Sequence, residues 1–149
     1  MSDYLVNAAS KPAMRKVMQS MGIPTPTQLA RAEGAYQEKF LDGQRVVVGA
    51  GKNAAARHVI QQTLAGTGAD VVEANAEDDN KYDALVFDAT GMTAARDLRA
   101  LYEFFHPIAR QLTRNARVVV LASDPDAVET LAGATAARAV EGFTRSFAK

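Results

Sequence analysis

The sequence predicts an α/β domain with a doubly wound parallel sheet. From Gln44 onward, short β-branched runs alternate with longer segments of helical periodicity, which is typical of strands joined by crossover helices. The first run, Val46–Val48, is apolar at every position and precedes a glycine, which suits a strand that is covered on both faces. The 149 residues and the 48% hydrophobic content are enough for one domain with its own core.

Four strands and three helices follow from this pattern. The predicted strands are Arg45–Gly49, Ala69–Glu73, Ala84–Asp88 and Arg117–Ala122. The predicted helices are 53–65, 94–113 with a bend or break at His106–Pro107, and 126–148 in two pieces around Gly133. Because a doubly wound sheet ordinarily adds a strand after each helix, we expect this sheet to be truncated before its last strand. A natural end with a frayed tail is the alternative.

Residues 1–44 differ from the main domain, 45–149, and are predicted to form a helical arm packed on it. A helix starts at Pro12, carries apolar residues at helical spacing and stops at Gly22. Those apolar residues are Met14, Val17, Met18 and Met21. The segment Ile23–Pro26 holds two prolines and is expected to be extended. A partly disordered leader is the alternative.

The composition excludes several classes of protein. The 17 basic residues balance the 17 acidic ones, so neither nucleic acid nor an anionic membrane is expected as a partner. There is no cysteine, and His58 and His106 are far apart in the sequence, so no metal site is predicted. No apolar run approaches the roughly 20 residues of a membrane helix, and the N-terminus lacks the pattern of a secretion signal. A cytoplasmic protein is therefore expected.

Three segments resemble the short-chain dehydrogenase/reductases. The segment Asp83–Thr93 (DALVFDATGMT) is similar to a strand and turn of that superfamily. The segment Ala116–Ser123 resembles the strand that ends in the catalytic serine of the superfamily. The segment Ala139–Lys149 resembles the helix that follows its Tyr-x-x-x-Lys motif. Within the superfamily, the chain resembles the N-terminal, flavodoxin-like domain of high-molecular-weight 3-oxoacyl-acyl carrier protein reductases. Only about 35 residues separate the first glycine turn from the third strand, which leaves room for a five-stranded, degenerate Rossmann sheet.

The resemblance implies a parent enzyme rather than an enzymatic domain. The parent would reduce 3-oxoacyl thioesters of acyl carrier protein or coenzyme A with NAD(P)H in fatty acid synthesis, through a C-terminal reductase domain that would be the partner of this one. Ser123 matches the family serine, but Gly133 and Ala137 stand at the tyrosine and lysine positions. Neither can protonate a carbonyl oxygen, so no catalytic residue is predicted in this chain. Ser123 is then a helix cap.

The glycine turn after the first strand retains only part of a nucleotide-binding pattern. Gly49 and Gly51 match the family, Lys52 could assist an anion, and Glu73 lies about 20 residues on, where a ribose-binding acid is expected. The later glycines are replaced by Asn53 and Ala55, so no cofactor is expected here. A stand-alone, nucleotide-binding Rossmann-type oxidoreductase is the alternative function.

A phosphoacceptor receiver domain is a further alternative for this fold class. Asp88 and Ser123 stand at the ends of the third and fourth strands, as that function requires. The turn after the first strand, however, lacks the acidic pair that would hold magnesium.

Two helices carry residues that are predicted to form an interface. The resemblance implies that these are the helices through which short-chain reductases dimerise, and the chain is therefore expected to form a homo-oligomer or to dock on its reductase domain. The candidate residues are Leu101, Phe104, Phe105, Ile108, Ala134 and Ala137. Ordinary core packing of both stripes is the alternative.

Overall fold

The computed structural model describes residues 11–23, 34–35, 37–77 and 79–148. The chain divides into two units, Met1–Ala35 and Tyr36–Lys149. The boundary predicted after residue 44 thus falls earlier in the structure. Residues 37–44 belong to the second unit, where the Leu41 amide donates to the Thr67 carbonyl and the Gln44 carbonyl accepts from the Asp70 amide.

The first unit contains helix α1, Pro12–Ser20. It begins at a proline, as the sequence predicts, and Gly22 follows it with a φ of 68°, a left-handed conformation that glycine adopts freely. Of the four apolar residues predicted on one side of this helix, only Met18 is buried. The extended segment predicted at Ile23–Pro26 lies outside the described residues beyond Ile23.

The second unit confirms the α/β prediction. Its elements in chain order are β1 (Arg45–Ala50), α2 (Arg57–Ala65), β2 (Asp70–Val72), β3 (Tyr82–Asp88), a 3-10 turn (Ala95–Leu98), α3 (Arg99–Ile108), a second 3-10 turn (Ala109–Gln111), β4 (Leu112–Leu121) and α4 (Leu131–Phe147). All strand pairs are parallel, and the order in the sheet is β2-β1-β3-β4. This is the order of the first four strands of a flavodoxin-like sheet.

Helices cover the two faces of the sheet unequally. Ile60 and Leu64 of α2 pack on one face, against a cluster that includes Val46 and Val86. Helices α3 and α4 together cover the other face, where Phe105 and Val140 join the larger core cluster. The fully buried runs in β1 and β3 explain why the sequence shows consecutive apolar residues there rather than alternation.

Two helices begin later in the sequence than predicted. Helix α2 begins at Arg57 rather than at residue 53, since Asn53 is left-handed with a φ of 61°. Helix α4 begins at Leu131 rather than at residue 126, where the Thr130 hydroxyl accepts from the Gly133 amide, and it continues through Gly133 without a break. Such caps stabilise a helix start by about 1 kcal/mol.

The long helix predicted at 94–113 is also wrong in its bounds. The α-helical part ends at Ile108, one residue after Pro107, and β4 starts at Leu112 instead of Arg117. The early part of β4 is irregular: Thr113 donates its hydroxyl proton to Asp83 at 3.0 Å, and Asn115 is left-handed with a φ of 66°. The pairing with β3 becomes regular only from Arg117.

A carboxylate organises the start of α3. Asp97 accepts hydrogen bonds from the amides of Thr93 and Ala94, each at 2.9 Å. The Thr93 amide is the main reason that the pKa of Asp97 lies below its ordinary value of 3.8. None of the helices in the described part of the chain is both long and apolar enough to cross a membrane.

Candidate functional site

The carboxyl ends of β1, β3 and β4 form the edge at which a doubly wound sheet ordinarily binds ligands. After β1 the chain continues to β2, which pairs with one side of β1, whereas β3 pairs with the other side of β1. The crevice between β1 and β3 is therefore the topological switch point. The structure brings the turn that contains Gly49 and Gly51, the end of β3 at Asp88, and Ser123 to this edge.

Both glycines of the β1–α2 turn serve packing within the domain. A side chain at Gly49 would collide with the ring of Phe104 on α3, and it would lie 2.9 Å from the ring of Phe87. A side chain at Gly51 would approach the methyl group of Met92 to 3.2 Å. Gly49 is therefore enclosed by two aromatic rings of the core, whereas the close neighbour of Gly51 is the flexible end of Met92.

Two amides at the start of α2 are bound by side chains from the end of β3 and the loop after it. Asp88 is fully buried, and its Oδ2 accepts from the Ala56 amide at 2.7 Å. Its Oδ1 accepts from the amide and the hydroxyl of Thr90, at 3.0 and 2.6 Å. The Ala55 amide donates to the Thr90 hydroxyl at 3.0 Å. A bound phosphate would use these amides, because helix N-termini bind anions through them.

The loop after β3 closes the crevice over the β1–α2 turn. A side chain at Gly91 would collide with the backbone of Lys52 and Asn53, so the two loops are in direct contact. Ser123 is the last residue of the segment that resembles the catalytic strand, and its hydroxyl donates to the Thr90 carbonyl at 2.7 Å. Its hydroxyl therefore joins the end of β4 to the same loop. Both loops thus approach the space between β1 and β3 in which a doubly wound fold ordinarily holds a pyrophosphate.

The other two residues predicted to contact a cofactor lie on the surface. Lys52 is exposed in the β1–α2 turn, and Glu73 is exposed directly after β2. Asp88, the alternative phosphoacceptor, is fully buried and hydrogen bonded on both oxygens. Among the residues that the structure describes, no group of three or more histidine, aspartate or glutamate side chains is placed to bind a metal ion.

The positions that match the catalytic tyrosine and lysine lie inside the domain. Gly133 is buried in the first turn of α4, and even a Cβ atom there would come within 2.5 Å of a methyl group of Val128. Ala137 follows one turn later and is also buried. A phenol at the first position therefore has no room beside Val128.

The predicted interface residues are found largely in the core. Leu101, Phe105 and Ile108 are at most 3% exposed, Ala137 is buried, and Phe104 and Ala134 are half-buried. The ring centroids of Phe104 and Phe105 lie 5.0 and 5.8 Å from that of Phe87 on β3. These residues hold α3 and α4 on the sheet, so a partner could contact only the outer sides of the two helices.

A groove between α3 and α4 is the feature that sequence reasoning missed. Its volume is about 630 Å³, and its lining consists of Tyr102, Phe105, His106, Pro107, Ala109, Arg110, Phe143 and Phe147. The ring centroids of Phe143 and Phe147 lie 4.9 and 5.0 Å from that of Phe105. Their spacing of four residues places them on one side of α4, and this pattern could have predicted an aromatic side of that helix.

The fold and this edge of the sheet define the class of the protein as an α/β domain with a four-stranded parallel sheet and a closed switch-point crevice. Comparison with protein-family models and with curated proteins finds no significant match to the chain.

Proposed function

We propose that this chain is the non-catalytic, flavodoxin-like N-terminal domain of a high-molecular-weight 3-oxoacyl-acyl carrier protein reductase. In this proposal the domain serves docking, oligomerisation or regulation. The observation that carries the proposal is the crowded end of β1 and β3. There Asp88 accepts from the Ala56 amide at the start of α2, and the Thr90 hydroxyl accepts from the Ala55 amide. A cofactor phosphate would use both amides.

The catalytic positions support the same conclusion. Hydride transfer to a ketone leaves an oxyanion that must gain a proton, and a positioned acid supplies it. Gly133 and Ala137 have no titratable group, and the side chain of Val128 occupies the space beside Gly133 that a larger residue would need. Ser123 alone could hold a carbonyl oxygen, but its hydroxyl proton is donated to Thr90.

The remaining parts of the reaction belong to the parent enzyme in this proposal. A separate reductase domain of the same protein would bind NAD(P)H and a 3-oxoacyl thioester of acyl carrier protein or coenzyme A, and it would supply the serine, tyrosine and lysine. The parent would act in the cytoplasm in fatty acid synthesis. The aromatic groove between α3 and α4 favours docking over chemistry, because it offers an apolar surface near Phe143 and Phe147.

A titration with NADPH, followed by calorimetry and by nicotinamide fluorescence, tests the proposal. We expect no binding at millimolar cofactor and no oxidation of NADPH with acetoacetyl-coenzyme A as substrate. Saturable binding below about 0.1 mM, which corresponds to more than about 5 kcal/mol of binding free energy, would instead favour a stand-alone nucleotide-binding oxidoreductase. Lys52→Ala is the matched variant, because Lys52 is exposed in the turn and a true phosphate site there would be weakened by its loss.

A further inference from the structure

We draw no further inference here: the strongest candidate, the aromatic groove between α3 and α4 that is lined by Phe105, Phe143 and Phe147, belongs to the docking surface already proposed, and nothing in the structure shows what covers it.

Discussion

Replacing Asp88 with asparagine probes the closure of the crevice most directly. The carboxylate accepts three hydrogen bonds, from the Ala56 amide and from the amide and hydroxyl of Thr90. An asparagine side chain has one acceptor oxygen, so in either orientation its amide group faces a backbone amide, donor against donor. Losing a charge-assisted hydrogen bond and leaving a partly buried donor without a partner costs about 2–4 kcal/mol in the free energy of unfolding.

Urea denaturation followed by circular dichroism measures this loss. With a urea dependence of about 1–3 kcal/mol per molar, the midpoint of Asp88→Asn should fall by about 1–3 M. Asp126→Asn is the matched control, since Asp126 is exposed and its ion pair with Arg138 is worth at most about 1 kcal/mol. If Asp88→Asn is within about 0.5 kcal/mol of the parent chain, Asp88 does not anchor α2, and the reason given for the closed crevice fails.

Three further outcomes follow from the contacts described above. Gly133→Ala should lower the free energy of unfolding, measured by urea titration, by about 1–3 kcal/mol because the added Cβ has no space. Gly142→Ala is the control: nothing lies within 4 Å of its added Cβ, so it should raise the free energy of unfolding by up to about 1 kcal/mol. Equal effects of the two substitutions would refute the steric reason. Gly49→Ala should destabilise similarly, and Phe104→Leu in the same chain should recover part of the loss if that ring is the neighbour that requires glycine. Because the pKa of Asp97 is lowered from its ordinary value of 3.8, its stabilising contribution is complete well above that value and is lost as the pH falls through the native pKa, so acid unfolding of Asp97→Asn should be less steep below about pH 4.

The strands were predictable because their signal is local. Val46–Val48 and Leu85–Phe87 are apolar at consecutive positions, and burial on two faces requires that pattern whatever the rest of the chain does. Helix boundaries were harder to predict because their caps come from distant segments. Asp88 on β3 binds the start of α2, for example, and no pattern within residues 53–57 contains that carboxylate.

The candidate site was also only partly predictable from the sequence, because distant segments form its contacts. The sequence identifies Gly49 and Gly51 as a partial match to a nucleotide-binding turn and, because the later glycines are replaced, predicts no cofactor there. It gives no sign of the ring of Phe104 beside Gly49 or of the methyl group of Met92 beside Gly51, which the packing of α3 and of the β3–α3 loop brings near. A glycine pattern thus reports that something approaches the backbone closely, and the sequence alone does not tell whether it is a ligand or a side chain.

The residues at which the chain departs from the reductase pattern make packing contacts within the domain. A tyrosine at position 133 would need the space that Val128 fills, and glycines restored at positions 53 and 55 would leave Asp88 on the amide of Ala56. Opening the crevice would also require moving Gly91 off the backbone of Asn53. Because each of these contacts contributes to stability, a substitution that restores one functional group removes a packing interaction without completing a site. Under the proposed function, a stable domain without an active site is consistent with each of these departures.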